Sequence, residues 1–117
     1  MAMYAPRPSL IAYDIAPPLQ YKGYEAYRKD YEAYFDHYVG PLTVEERDVH
    51  IEARGDIGYA FGLERLAGRL KSGEKTDSWT RFTTIFRKIH GRWYAIHDHI
   101  SAPTDFATGK SALDLQP

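Results

Sequence analysis

Residues 79–103, WTRFTTIFRKIHGRWYAIHDHISAP, decide how this chain folds. Two runs rich in Thr, Phe, Ile, Trp and Tyr flank His90-Gly91, and β-branched and aromatic runs around a two-residue Xaa-Gly turn predict a β-hairpin. With His90 and Gly91 in the loop, Ile89 faces Arg92. Counting onward sets Arg87 against Tyr94, Ile85 against Ile96, Thr83 against Asp98 and Arg81 against Ile100. The opposite face then carries Phe82, Thr84 and Phe86 with Trp93, Ala95, His97 and His99. A half-solvated hairpin should alternate cleanly between apolar and polar, and neither face does. Both sides are therefore expected to be covered, one by the chain's own helix over a pocket and the other by a partner.

A chain of 117 residues is read as one domain over 1–117, with room for a core that needs no staples. A formal charge of −1 leaves no electrostatic footprint for nucleic acid or an anionic membrane. There is no cysteine, so thiol chemistry and disulfides are excluded, which fits a reducing compartment. The start, MAMYAPRPSL, lacks a signal-peptide core, and no run approaches the ~18 apolar residues of a membrane span. A cytoplasmic protein is expected.

In chain order, Leu10 to Ile15 reads as a strand with Asp14 near its end, closed by Pro17-Pro18. From Gly23 to Tyr38 the positions Tyr24, Tyr27, Tyr31, Tyr34, Phe35 and Tyr38 recur at steps of three and four, which predicts an amphipathic helix ended by Gly40-Pro41. Its aromatic stripe is core by pattern. Its hydroxyls nevertheless need partners and suit a helix lying over a partly polar cavity. Thr43–Arg54 and Ile57–Leu70 read as strands joined by Gly55-Asp56, so Arg54-Gly55-Asp56 is turn chemistry and not an adhesion motif. Gly58, Gly62 and Gly68 predict bulges or strong bending. Gly109-Lys110-Ser111 looks like the end of a phosphate-binding loop, but Thr104 stands where that motif needs glycine, and nucleotide binding is rejected. Strand, helix and four meandering strands make an α+β domain, a bent antiparallel sheet with helix packed on one face.

The order of elements resembles a known family, as do the segments YDIAPPL (13–19), KGYEAYRKDYEAYF (22–35), RKIHGRWYAIHDHISAP (87–103) and GKSALDL (109–115). It is similar to the SnoaL-like, ketosteroid-isomerase-like domains of the nuclear-transport-factor-two-like superfamily. The resemblance implies a cone-shaped sheet with the helix on its concave face, a cavity between the two, and a homodimer. Catalytic isomerases, cyclases and dehydratases share that fold with non-catalytic assembly modules. It also implies one or two helices ahead of the strand bearing Asp14, where this sequence has almost nothing, so a more open cavity is expected. Asp14 matches the position of the isomerases' general base, but their sheet aspartate aligns with Thr83, so steroid isomerisation by that mechanism is not expected.

Carried onto this sequence, the resemblance makes Arg81, Thr83, Ile85, Ile96, Asp98 and Ile100 the cavity face, with Tyr13 beside Asp14 as a further ligand contact. Asp14 and Asp98 are the candidate acid/base residues, and Arg81 would hold developing negative charge. The plainer alternative is an Arg81–Asp98 ion pair satisfying two buried charges. Trp93, His97 and His99 are assigned to the dimer interface. The two histidines share a face but lack a third ligand by spacing, so no metal is expected, and no cofactor is implied. Two classes of function remain: a binder of, or acid/base enzyme on, a small hydrophobic molecule, and a non-catalytic dimerisation module.

Overall fold

The structure, a computed structural model, describes Tyr4 and residues 10–117. Its elements run β1 (Ile11–Tyr13), β2 (Tyr21–Lys22), α1 (Tyr24–Phe35), β3 (Tyr38–Arg54), β4 (Ile57–Leu70), β5 (Lys75–Ile89), β6 (Arg92–Ser101), β7 (Thr104–Asp105) and β8 (Lys110–Ser111). The first six strands form one sheet in the order β2-β1-β6-β5-β4-β3, with β1 parallel to β6 and every other pairing antiparallel. β7 and β8 make a separate small hairpin around Gly109, whose φ of 74° suits glycine. The Gly109-Lys110-Ser111 segment is thus turn and strand.

The central hairpin turns where expected, with His90 at φ 50° and Gly91 at φ 79°, the pair of positive angles that a tight two-residue loop requires. Its register holds from Ile89 opposite Arg92 to Phe86 opposite Ala95, and then shifts by one. Ile85 faces His97, Thr84 faces Asp98, Thr83 faces His99, Phe82 faces Ile100 and Arg81 faces Ser101. Ile96 is the extra residue of a β-bulge. A bulge puts two residues against one, which reverses the alternation of faces beyond it.

This corrects the expected faces on both strands. Phe82, Thr84 and Phe86 share the concave side with Trp93, Asp98 and Ile100. Arg81, Thr83 and Ile85 lie on the convex side with His97 and His99. Tyr13, opposite His99 in the β1–β6 ladder, is convex as well, its ring 4.7 Å from that of His97 and 5.4 Å from that of His99. Trp93 parts company with the histidines because it precedes the bulge and they follow it. Ile96 itself packs against the buried cluster of Tyr4, Leu10, Ala12, Tyr27 and Ala95.

That cluster is where α1 meets the sheet. Tyr27 is fully buried, and Tyr24 and Tyr31, one turn to either side, pack against the same group, as the three-four spacing requires. The long β3–β4 hairpin bends where β3 carries irregularities between Val39 and Thr43 and between Arg47 and His50. The glycines of β4 accommodate that bending: a Cβ on Gly62 would lie 3.1 Å from Val49 Cα and 3.2 Å from the Arg47 carbonyl oxygen. These are backbone atoms of the bulge, and they cannot step aside as a side chain would. Gly62→Ala is therefore expected to cost about 1 kcal/mol or more despite alanine's lower unfolded-state entropy, read as a lowered urea midpoint at constant m-value.

Candidate functional site

The concave side holds Asp98, which is only 4% exposed. Its Oδ2 accepts hydroxyl hydrogen bonds from Tyr4 at 2.8 Å and Tyr27 at 2.9 Å, and its Oδ1 accepts one from Thr84 at 2.9 Å. The Tyr4 and Tyr31 hydroxyls, 3.2 Å apart, extend the chain of polar groups toward open space. Burial first, and then the neighbouring Asp98 carboxylate, push the Tyr4 and Tyr27 phenols far above the usual tyrosine range, so both remain donors. Among the described residues no buried side-chain polar atom lacks a partner.

Beside this network lies a cavity of about 590 Å³ bounded by the concave strands and Tyr31, with Phe82, Phe86, Trp93 and Ile100 in its walls. A smaller cavity of about 160 Å³ abuts it, sharing Tyr31, Glu64 and Ile100 and reaching Asp14, Asp30 and Tyr34. Apolar walls with a few convergent polar groups are the usual make-up of a small-molecule site.

Asp14 follows β1 in alternation with Ala12, so it turns toward the cavity while Tyr13 turns away. Its Oδ1 accepts the Ile15 backbone N–H at 2.8 Å. Asp30 of α1 shares a hydrogen bond with it and itself accepts the Tyr21 hydroxyl at 2.9 Å. Partial burial raises the Asp14 carboxyl, and Asp30, acting through the shared hydrogen bond and its charge, with Asp98 farther off, brings it from 3.8 to about 7. Glu64 is also raised, by burial and then by the charges of Glu46, its cross-strand neighbour, and Asp98.

Asp14, Asp98 and Ile100 therefore stand at the cavities, whereas Arg81, Thr83, Ile85 and Tyr13 do not. Arg81 is exposed and donates to the Ser101 hydroxyl at 3.2 Å, so the expected Arg81–Asp98 pair does not form. Trp93, expected at an interface, lines the larger cavity. His97 donates its Nδ1–H to the Ile11 carbonyl oxygen at 2.8 Å. Tyr4, Tyr27, Thr84, Asp30 and Glu64 were not singled out from sequence. Tyr27 belonged to the recognised stripe, and Glu64 is a charge midway along a strand between Gly62 and Gly68, which is a readable anomaly.

Two outcomes follow from this geometry. Asp98→Ala would strand three buried hydroxyls and is expected to cost about 3 kcal/mol or more, whereas Tyr27→Phe should cost about 1.5 kcal/mol, both read by chemical denaturation. For Asp14 the folded carboxyl is held above its unfolded value, so its contribution to stability is complete below pH 3.8 and is lost as pH rises through about 7. The groups facing it, Asp30, Tyr21, Tyr34, Glu64 and Asp98, include no cation to reverse that sign. Asp14→Asn should accordingly gain melting temperature over the parent at pH 8 and show no gain at pH 4.

Among solved structures, an NTF2-like protein of unknown function from Pseudomonas putida KT2440 is 34% identical, covering 99% of this chain and 79% of its own, with a TM-score of 0.85. A candidate ketosteroid isomerase from Shewanella frigidimarina is 24% identical over 86% of this chain and 77% of its own, with a TM-score of 0.68. The association domain of C. elegans CaMKII is 16% identical over 81% and 73%, with a TM-score of 0.58. The latter two, below a quarter identity, are similar in fold alone. None of the curated proteins matches the chain. The model of the SnoaL-like domain matches residues 1–105, and with that span and the shared sheet-and-helix architecture the chain belongs to the SnoaL-like domain family.

Proposed function

We propose that this chain binds a small, mainly apolar molecule between α1 and the concave face of the sheet and moves a proton on it through Asp14. The observation that supports this is the Asp14 carboxyl in a cavity it shares with Asp30 and Glu64, held close to neutral pH by burial and by Asp30. A base with that affinity is ionised often enough to accept a proton and basic enough to take it, so general acid/base chemistry is strongest there. Asp98 fits a different part, since both its oxygens are engaged by hydroxyls that it also orders. Tyr31 and Glu64 would contact the ligand, and Trp93, Phe82 and Phe86 would pack on its body. Isomerase- and cyclase-like reactions can begin with such a transfer, and in a hydrolase-like one the same carboxylate would take the proton of an attacking water. The cysteine-free sequence suits work in the cytoplasm.

The test is a thermal-shift screen of small ketones, enones and lactones, followed by NMR of the binders in heavy water. The parent protein is expected to exchange a carbon-bound proton of a binder for deuterium, and Asp14→Asn to slow that exchange about 100-fold or more while Trp93 fluorescence still reports binding. Undiminished exchange in Asp14→Asn, or no binder at all, would reject the reading.

A second reading is favoured by one feature of the convex face. Ile57 and Phe61 are 44% and 42% exposed there, next to Ile85, His97 and His99. A contiguous apolar and aromatic sheet face of this kind supports association of two copies of the chain, with or without catalysis. Light scattering is expected to give a dimer at micromolar concentration and Phe61→Glu a monomer. A monomeric parent would remove this reading and leave the first untouched.

A further inference from the structure

We infer that the ligand of the concave groove carries a positive charge, an ammonium or similar organic cation on an apolar body. This rests on the reading of the groove as a ligand cavity and names the class of molecule that enters it. The two abutting cavities have Asp14, Asp30, Glu46, Glu52, Glu64 and Asp98 in their walls, and among the described lining residues there is no Lys, Arg or His.

Composition does not account for this. The chain has 15 Lys and Arg against 16 Asp and Glu, so a wall with carboxylates and no cations is a matter of placement. The bulge in β6 sets Asp98 on the opposite face from Arg81, which stays on the convex side and meets Ser101. Arg65 lies on that side too, paired with Asp77 at 2.8 Å and Glu45 at 3.6 Å, and Arg47 lies over the Trp79 ring at 5.1 Å.

Four of the carboxylates accept hydrogen bonds from neutral groups: Asp98 from its three hydroxyls, Glu52 from the Tyr59 hydroxyl, Asp30 from the Tyr21 hydroxyl and Asp14 from the Ile15 N–H. None of these bonds cancels a charge, and the carboxylates do not balance one another. Glu46 and Glu64 face each other directly across the β3–β4 ladder, and like charges opposed in this way are unfavourable. Asp14 and Asp30 form a second like pair at the far end. Glu64 joins the two cavities, so a cation there would relieve repulsion from both sides. The nearby rings of Tyr31, Tyr34, Phe82 and Trp93 offer faces that attract a cation and walls that bury its apolar body. No three of the described acidic or histidine side chains converge as metal ligands, so an extended organic cation fits better than a bare ion. A carboxylate or phosphate ligand would meet only like charge.

Calorimetric titration with phenethylamine, phenethyl alcohol and hydrocinnamate tests this, since the three share an aromatic body and differ in charge. At pH 8 the amine is expected to bind at least ~10-fold more tightly than the alcohol, with no binding by hydrocinnamate at concentrations where the alcohol binds. Glu64→Gln should reduce the amine's advantage about 10-fold while alcohol binding is retained, which also shows that the variant is folded. With the permanently charged phenethyltrimethylammonium, affinity should fall as pH drops from 8 to 5. Equal binding of amine and alcohol, or tighter binding of hydrocinnamate, would overturn the charge inference and leave the cavity reading standing. No binding by any of the three would overturn both.

Discussion

Asp98 is a buried carboxylate with no ion-pair partner among the described residues, and much of the architecture can be understood as what is needed to keep it there. Removing a charge from water is costly unless hydrogen bonds replace the lost hydration. Here three hydroxyls do so, from the segment at Tyr4, from α1 through Tyr27 and from β5 through Thr84. One residue of β6 thereby ties Tyr4, the helix and the central hairpin to a common point. The tyrosines also supply the apolar contact between helix and sheet, their rings meeting edge to face at 5.4 Å for Tyr4 with Tyr27 and 4.8 Å for Tyr27 with Tyr31. Tyrosine in place of leucine lets the same side chains fill the interface and satisfy its charge.

The bulge at Ile96 has consequences at both surfaces of the sheet. By adding one residue to β6 it carries Asp98 to the concave side and both histidines to the convex side, with Trp93 left among the cavity residues. It also keeps Arg81 away from Asp98, which leaves the cavity acidic and makes hydroxyls, in place of a guanidinium, the partners of the buried charge. Burial of carboxylates near one another then raises Asp14 and Glu64. The chemistry proposed for the groove and the charge proposed for its ligand both trace to this one irregularity.

The fold's likeness to the CaMKII association domain and to a candidate ketosteroid isomerase is compatible with either use of the domain, because fold and function separate in such families. What bears on this chain is that its two sheet faces differ in kind. The concave side concentrates carboxylates and ordered hydroxyls, whereas the convex side presents rings and aliphatic groups with the arginines paired among them. The ligand site and the contact between copies proposed above can therefore coexist without competing for the same residues.

The sequence by itself was enough for the helix and the main strands in their order, but not for the short strands β2, β7 and β8 or for the end of the helix at Phe35, since Tyr38 to Pro41 belong to β3 and do not close α1. The three-four spacing of Tyr24, Tyr27 and Tyr31 marks a helix, and His90-Gly91 and Gly55-Asp56 mark turns, because these signals are local and depend on backbone sterics and side-chain period. The family was legible too, and Asp14 was singled out through that resemblance; in the structure Asp14 lines the smaller cavity. The face assignments of Arg81, Thr83, Ile85, Tyr13 and Trp93 were not legible. Which β6 residues share a face with Arg81, Thr83 and Ile85 depends on a one-residue bulge at Ile96, which packs against a cluster assembled from Tyr4, Leu10, Ala12, Tyr27 and Ala95, residues far apart in the chain. Alternation along a strand propagates any such shift to every later residue, so the packing of Ile96 bears on which β6 side chains line the cavity.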